Sequence, residues 1–155
     1  MALQPRGIRN NNPGNIVWSA RNNWQGQLPH NPKIEPRFAR FDTAHNGIRA
    51  LAKLLLNYRK VYGLRTVESL IARWAPSNEN NTRAYASAVA RAMGVPPQAS
   101  LHLDQATLVA LVTAIIHQEN GQQPYNAEQI AQAARRCCDA TPQRNQLSDL
   151  FDLAG

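Results

Sequence analysis

Residues 104–121, DQATLVALVTAIIHQENG, form the most apolar stretch of this 155-residue chain. Their leucine, valine and isoleucine residues recur at spacings of three or four, which predicts a helix with one buried face. Asp104 is a suitable N-cap, and Gly121 is well placed to end the helix. We therefore expect a central core helix that extends from Asp104 to about Glu119.

Glu119 continues the apolar face of this helix, where a carboxylate is unusual. It also lies at the helix C-terminus, where the dipole disfavours an anion by about 0.3–1 kcal/mol, and partial burial acts in the same direction. Both effects favour a protonated carboxyl group, the form that protonates a glycosidic leaving oxygen. The spacing is equally compatible with a Glu119 side chain that reaches solvent beside Asn120 and Gly121.

Further helices are predicted before and after this segment from capping residues and apolar periodicity. Their expected limits are Asp42 or Thr43 to Gly63, Thr66 to Pro76, Asn80 or Asn81 to Gly94, and Asn126 to about Cys138, with a weak last helix from Gln146 to Leu153. Residues 6–41 differ, because they lack a helical period and are rich in asparagine, proline and glycine. Strand-like composition at 16–18 and 37–41 predicts a small hairpin or an irregular lobe there.

The expected architecture is therefore a single domain, residues 1–155, that is mostly α or at most α+β. An irregular or β lobe would occupy 6–41 and a helical bundle 42–153. The composition, 43% hydrophobic and 17% charged, fits a packed globule.

The formal charge of +7 predicts an anionic partner. Nucleic acid, a membrane surface and the bacterial wall all meet that requirement. No run approaches the ~18 apolar residues of a membrane span, and residues 1–9 lack the apolar run of a signal peptide. We expect a soluble monomer that is made in the cytoplasm and has no stable membrane insertion.

Neither a metal nor a cofactor is expected. The adjacent Cys137 and Cys138 fit free thiols better than a strained bridge. The histidines at positions 30, 45, 102 and 117 show no ligand spacing with cysteine or carboxylate.

Several short motifs have counterparts in one enzyme family. They are 12–16 (NPGNI), 24–26 (WQG), 37–43 (RFARFDT), and 74–76 (WAP) followed by 81–85 (NTRAY). The chain resembles the glucosaminidase domains of bacterial autolysins and flagellar peptidoglycan hydrolases. Those domains show Asn-x-Phe-Gly-Ile, Trp-x-Gly, Phe-Arg-x-Tyr-x-Ser and Tyr-Ala-x-Asp-Pro-x-Tyr in this order. The match departs from the family at Pro13-Gly14-Asn15, where Phe-Gly-Ile is usual.

The catalytic helix of that family, which ends in Ala-x-x-Glu-(Ser/Thr)-Gly, precedes the asparagine turn. Here the similar stretch, 114–121 (AIIHQENG), comes near the C-terminus. The resemblance thus implies a lysozyme-like fold in circularly permuted order, which is feasible because domain termini often lie close together. The opening 9–15 (RNNNPGN) is also similar to small phage and prophage proteins.

The resemblance implies a peptidoglycan glycosidase with Glu119 as the general acid. Glu35, the only acidic residue of the lobe, lies about where the family has its second glutamate, although a solvated loop residue fits equally well. Asn12, Asn15, Tyr85 and Trp24 are the candidate substrate-binding residues. The alternatives are turn formation for the asparagines and core packing for the aromatic residues, and core packing is also expected for Trp74.

Three function classes follow. The preferred one is a muramidase, glucosaminidase or lytic transglycosylase that acts on the wall after release, injection or secretion, or as part of a virion. The second is a non-enzymatic virion or wall-binding protein with a lysozyme-like fold. The third, a nucleic-acid-binding protein, fits the charge but lacks a recognised binding motif, so nucleic acid is not an expected partner.

Overall fold

The computed structural model of the protein describes residues 3–75 and 79–135 and contains six α-helices within them. They are α1 (Arg6–Arg9), α2 (Ala44–Tyr62), α3 (Val67–Trp74), α4 (Glu79–Met93), α5 (Gln105–Asn120) and α6 (Ala127–Ala133). The fold is mostly α, as predicted. None of these helices combines the length and the apolar composition that crossing a membrane would require. The predicted helix over 146–153 and the cysteine pair lie outside the described residues.

Most predicted helix ends are confirmed by the capping geometry. The side chains of Thr43, Thr66, Asp104 and Asn126 each accept a hydrogen bond from the backbone amide three residues later. These bonds satisfy amides that have no partner within the helix. At the C-terminal ends of α2 and α5, Gly63 and Gly121 adopt left-handed conformations with φ of 67° and 70°.

Two helix boundaries differ from the prediction, and one helix was not predicted. Helix α4 begins at Glu79, so neither Asn80 nor Asn81 is its N-cap. Helix α6 ends at Ala133 rather than near Cys138, although the alanine and arginine that follow are good helix formers and the sequence offers no glycine or proline as a stop signal there. Helix α1 was not predicted, because four residues are too few to show a helical period.

Helix α5 lies at the centre of the structure, as its apolar sequence predicts. It packs against α1, α2, α4 and α6. Its leucine and isoleucine side chains are completely buried, and Val112 is buried with them. Since this helix ends at the lobe, the core fixes where residues 119 and 120 meet the N-terminal part of the chain.

The lobe contains no extended sheet. Its only strand-like pairings in the described chain are the isolated antiparallel bridges Val17–Phe38 and Gln27–Phe41. The completely buried Asn12 contributes further order: its Nδ2 donates to the carbonyls of Ile16 (3.0 Å) and Ala39 (2.8 Å), and its Oδ1 accepts from the Ile16 amide (2.9 Å). One side-chain amide thus makes three bonds that a neighbouring strand would otherwise make.

The lobe docks on α2 at a glycine. A Cβ atom on Gly47 would overlap the backbone carbonyl of Asn11, and it would also meet the ring of Pro13 at 3.2 Å. The same loop also binds the segment just before α2, because Asn11 Nδ2 donates to the Phe41 carbonyl (3.2 Å). Glycine at position 47 therefore allows the lobe backbone to lie directly against the helix.

We predict that Gly47→Ala destabilises the protein by about 1–3 kcal/mol, the usual cost of overpacking. The direction of the change in stability is informative, because helix propensity alone would make Gly47→Ala stabilising by about 1 kcal/mol. Urea unfolding measures the difference. His45→Ala, an exposed change in the same helix, should stay within about 0.5 kcal/mol of the parent. A Gly47→Ala variant as stable as the parent would contradict this packing.

Candidate active site

Glu119 lies in the last turn of α5, half-buried, and contacts two other parts of the chain. Its Oε1 accepts a hydrogen bond from Asn15 Nδ2 (2.8 Å), and its Oε2 accepts one from the Tyr85 hydroxyl (2.7 Å). The lobe, α4 and α5 thus converge on one carboxyl group. Three of the residues singled out in the sequence come together here, and Glu119 does not extend freely into solvent.

Asn15 is held rigidly where it meets Glu119. Its φ of 53° is left-handed, a conformation that asparagine tolerates better than most residues with a Cβ atom. Its backbone amide donates to the Asn12 carbonyl (2.8 Å). Beside it, Asn120 Nδ2 donates to the carbonyl of Pro13 (2.9 Å). Two successive residues of α5 therefore bind the same loop.

Tyr85 is a neutral phenol throughout the physiological pH range. Burial raises the pKa of the Tyr85 hydroxyl strongly, the negative charge of Glu119 and the hydrogen bond to it raise the pKa further, and a hydrogen bond with the Trp74 indole acts in the opposite direction. A neutral hydroxyl can donate to a carboxylate or accept from a carboxylic acid. The contact with Glu119 can therefore persist in both protonation states of the carboxyl group.

Two further residues support this site: Gly7, which the sequence did not single out, and Trp74, which was expected to pack in the core. A Cβ atom on Gly7 would lie 2.6 Å from Asn120 Oδ1 and 3.0 Å from Asn15 Oδ1, so only glycine lets α1 approach here. Trp74 is half-buried and borders Gly14, where a Cβ atom would lie 3.0 Å from its ring. Its contact with Tyr85 places it next to the site instead of wholly in the core. No periodicity or spacing marks these contacts in the sequence.

Two predicted substrate-binding residues do not have that role. Asn12 has no exposed surface, and three polar contacts within the lobe occupy its amide. Trp24 is only 3% exposed and belongs to the core cluster. Neither can touch a ligand without rearrangement of the lobe. Trp24 therefore packs in the core, as the alternative considered for it holds, and Asn12 forms the local turn and also binds the lobe across to Ala39.

Glu35 is also a structural residue rather than a reacting carboxylate. Its Oε2 accepts from the backbone amides of Arg37 (2.8 Å) and Phe38 (2.9 Å), and its Oε1 accepts from Asn10 Nδ2 (3.2 Å) and pairs with Arg6 Nε at 3.5 Å. It is 4% exposed. Both oxygens are therefore engaged in closing the 35–38 turn and tying it to the segment that contains α1.

The protonation of Glu35 links the lobe to pH. Burial alone would raise the pKa of its carboxyl, but the amides of Phe38 and Arg37, the Asn10 amide and the Arg6 charge together lower the pKa below its ordinary value of 4.5. A lowered pKa in the folded state stabilises the protein above the unfolded pKa. That stabilisation is lost as the pH falls through the folded value.

We therefore predict that the free energy of unfolding decreases as the pH is lowered from about 5 to about 3. In the Glu35→Gln variant, the free energy of unfolding should decrease less over the same range. At pH 7 the same variant should be less stable by about 1–3 kcal/mol, because buried amides lose a charged acceptor. Thermal unfolding of each protein from pH 3 to pH 7 tests both effects. The control is Glu128→Gln, on the exposed surface of α6, whose free energy of unfolding should depend on pH as that of the parent does. The same pH dependence in all three proteins would exclude this role for Glu35.

The arrangement offers one partly accessible carboxyl group, oriented by an amide and a phenol. This can transfer a proton to a ligand oxygen and then stabilise the resulting anion with two hydrogen bonds. Within residues 3–75 and 79–135, no three histidine, cysteine or acidic side chains cluster as a metal site would need.

Comparison with known proteins gives a phage relative. The chain is 41% identical over 125 residues to protein P5 of Pseudoalteromonas phage PM2, an alignment that covers 81% of this chain and 77% of the relative. No family model matches the chain.

Proposed function

The chain belongs to the family of protein P5 of Pseudoalteromonas phage PM2, and we propose that it cuts the glycan strands of bacterial peptidoglycan with Glu119 as general acid. The hydrogen bonds that converge on Glu119 from the lobe and from α4 are the observation that carries this proposal. A phage has to breach the wall of its host, so the family fits an enzyme that acts there after release or as part of the virion.

The proposed fold is lysozyme-like in circularly permuted order. In the enzymes that this chain resembles, the catalytic helix comes before the asparagine turn. Here the two motifs are separated by about a hundred residues in sequence, yet Glu119 contacts Asn15 and Asn120 contacts Pro13. Spatial adjacency without sequence adjacency is what a permutation produces, and it supports the assignment of both motifs.

In the proposed reaction, the protonated Glu119 carboxyl gives its proton to the glycosidic oxygen while the bond from that oxygen to C1 of the sugar breaks. The carboxylate left behind accepts hydrogen bonds from Asn15 and Tyr85, which are stronger to an anion than to a neutral acid. The carboxylate also faces the positive charge that develops at C1. Asn15 is therefore a positioning residue in this scheme, instead of a substrate-binding residue.

Glu35 is occupied within the lobe, which favours a mechanism with one carboxylate. After the first step, the Glu119 carboxylate can take the proton of the sugar's own 6-hydroxyl as that oxygen bonds to C1. The product is a 1,6-anhydro sugar, and the enzyme is returned to its protonated form. We therefore favour a lytic transglycosylase over a hydrolase that uses two carboxylates.

We predict that Glu119→Gln abolishes the clearing of purified peptidoglycan, with a loss of at least about 100-fold, because the amide cannot supply the proton. Glu128→Gln, the same change at an exposed position, should clear like the parent. Thermal unfolding confirms that both variants are folded. Equal clearing by the parent and Glu119→Gln would end the assignment, and pelleting with the wall without any cleavage would indicate the non-enzymatic wall-binding alternative.

Tyr85→Phe should lower the rate of glycan cleavage by about 10- to 100-fold. The reason is that the variant loses one hydrogen bond to a charged group, which contributes about 1.5–3 kcal/mol. Mass spectrometry of the released fragments identifies the reaction, because anhydro ends differ by one water from reducing ends. Anhydro products from the parent and from the slower variant are expected. Reducing ends alone would show hydrolysis and require a second group that activates water.

A further inference from the structure

The outer face of the lobe is a small surface formed by Val17, Phe38, Arg6 and Arg37. Val17 and Phe38 are bridge partners, and the backbone hydrogen bonds that flank them make theirs a non-hydrogen-bonded pair. The side chains of such a pair lie on the same side of the ladder, about 4.5–5.5 Å apart. Val17 is 50% exposed, so the centre of this face is apolar and accessible.

Two cations are held on this apolar centre. The guanidinium carbons of Arg6 and Arg37 lie 5.4 Å and 4.9 Å from the centre of the Phe38 ring. Arg6 pairs with Glu35 through Nε, yet its side chain remains 52% exposed. Arginines that are already held on an aromatic ring lose less conformational freedom when they bind an anion.

The charge of the lobe makes this face strongly cationic. Residues 1–41 contain six basic residues and one acidic residue, so they carry a formal charge of +5 out of +7 for the whole chain. The one acidic residue, Glu35, is buried and paired with Arg6. No exposed carboxylate of the lobe therefore offsets the arginines.

The face and the candidate active site belong to one continuous framework. Phe38 precedes Ala39, whose carbonyl accepts from Asn12 Nδ2 (2.8 Å). The Asn12 carbonyl in turn accepts from the backbone amide of Asn15, and Asn15 binds Glu119. The lobe that presents the two arginines is thus the same one that contacts Glu119.

We infer that the outer face binds the carboxylate groups that peptidoglycan carries on its peptide stems. This inference rests on the proposed function for the identity of the polymer. Guanidinium groups match carboxylates in shape and charge, and Phe38 and Val17 fit the short aliphatic side chains that bear them. A phosphate polymer or a nucleic acid would leave this apolar half of the face unused.

The test measures binding with Glu119→Gln protein, so that turnover does not interfere. Purified sacculi are compared with sacculi whose carboxylates have been converted to neutral amides by carbodiimide coupling. On native sacculi, adding R6Q/R37Q should weaken binding about ten-fold, the effect of two screened charge pairs. The matched loss of two exposed charges from α2 and α4, K60Q/R91Q, should leave affinity near that of the parent. Amidated sacculi should bind the Glu119→Gln protein equally weakly with and without R6Q/R37Q.

R37Q alone keeps the Arg6–Glu35 pair and serves as the folding-safe variant, with an expected loss of about three-fold. Equal losses in R6Q/R37Q and K60Q/R91Q would overturn the inference in favour of net charge. Undiminished binding to amidated sacculi, or equally tight binding to anionic phospholipid vesicles, would also overturn it. The proposed function fails separately, if the enzyme with intact Glu119 releases no glycan fragments while the arginine-dependent binding remains.

Discussion

The amide group of Asn12 is the constraint on which the N-terminal half of the molecule depends. This side chain is fully enclosed and joins the backbone at residues 16 and 39, which are far apart in sequence. Irregular chain is otherwise costly to bury, because every amide and carbonyl needs a partner. Since Asn12 provides three such partners, a segment with only two isolated bridges can still present Asn15 in a fixed position.

The neighbouring asparagines also bind parts of the chain that are distant in sequence. Asn10 binds Glu35, Asn11 binds the carbonyl of Phe41, and Asn15 binds Glu119. The run is therefore a junction that connects the lobe to itself, to the start of α2 and to the end of α5. Turn formation alone does not account for asparagine at each of these positions, because serine or glycine would also make turns.

How far the sequence was informative depended on whether the relevant signal was local. The limits of α2 and α5 followed from caps, periodicity and a terminal glycine, all of which lie within a few residues of the helix. Glu119 was found because it is a carboxylate at a position that continues a periodic apolar face. By contrast, the enclosed state of Asn12 and Glu35 depends on partners across the lobe, and Gly7 matters only because Asn120 lies next to it. No local pattern contains that information.

The hydrogen bond between Asn15 and Glu119 joins residues 104 positions apart, which has a consequence for biosynthesis. A nascent chain lacks this arrangement until α5 has left the ribosome, and contacts of such long range form late because of the entropy of closing the loop. A chain whose synthesis stops before α5 consequently lacks the candidate active site, which exists only once residue 119 has been added and folded against the lobe.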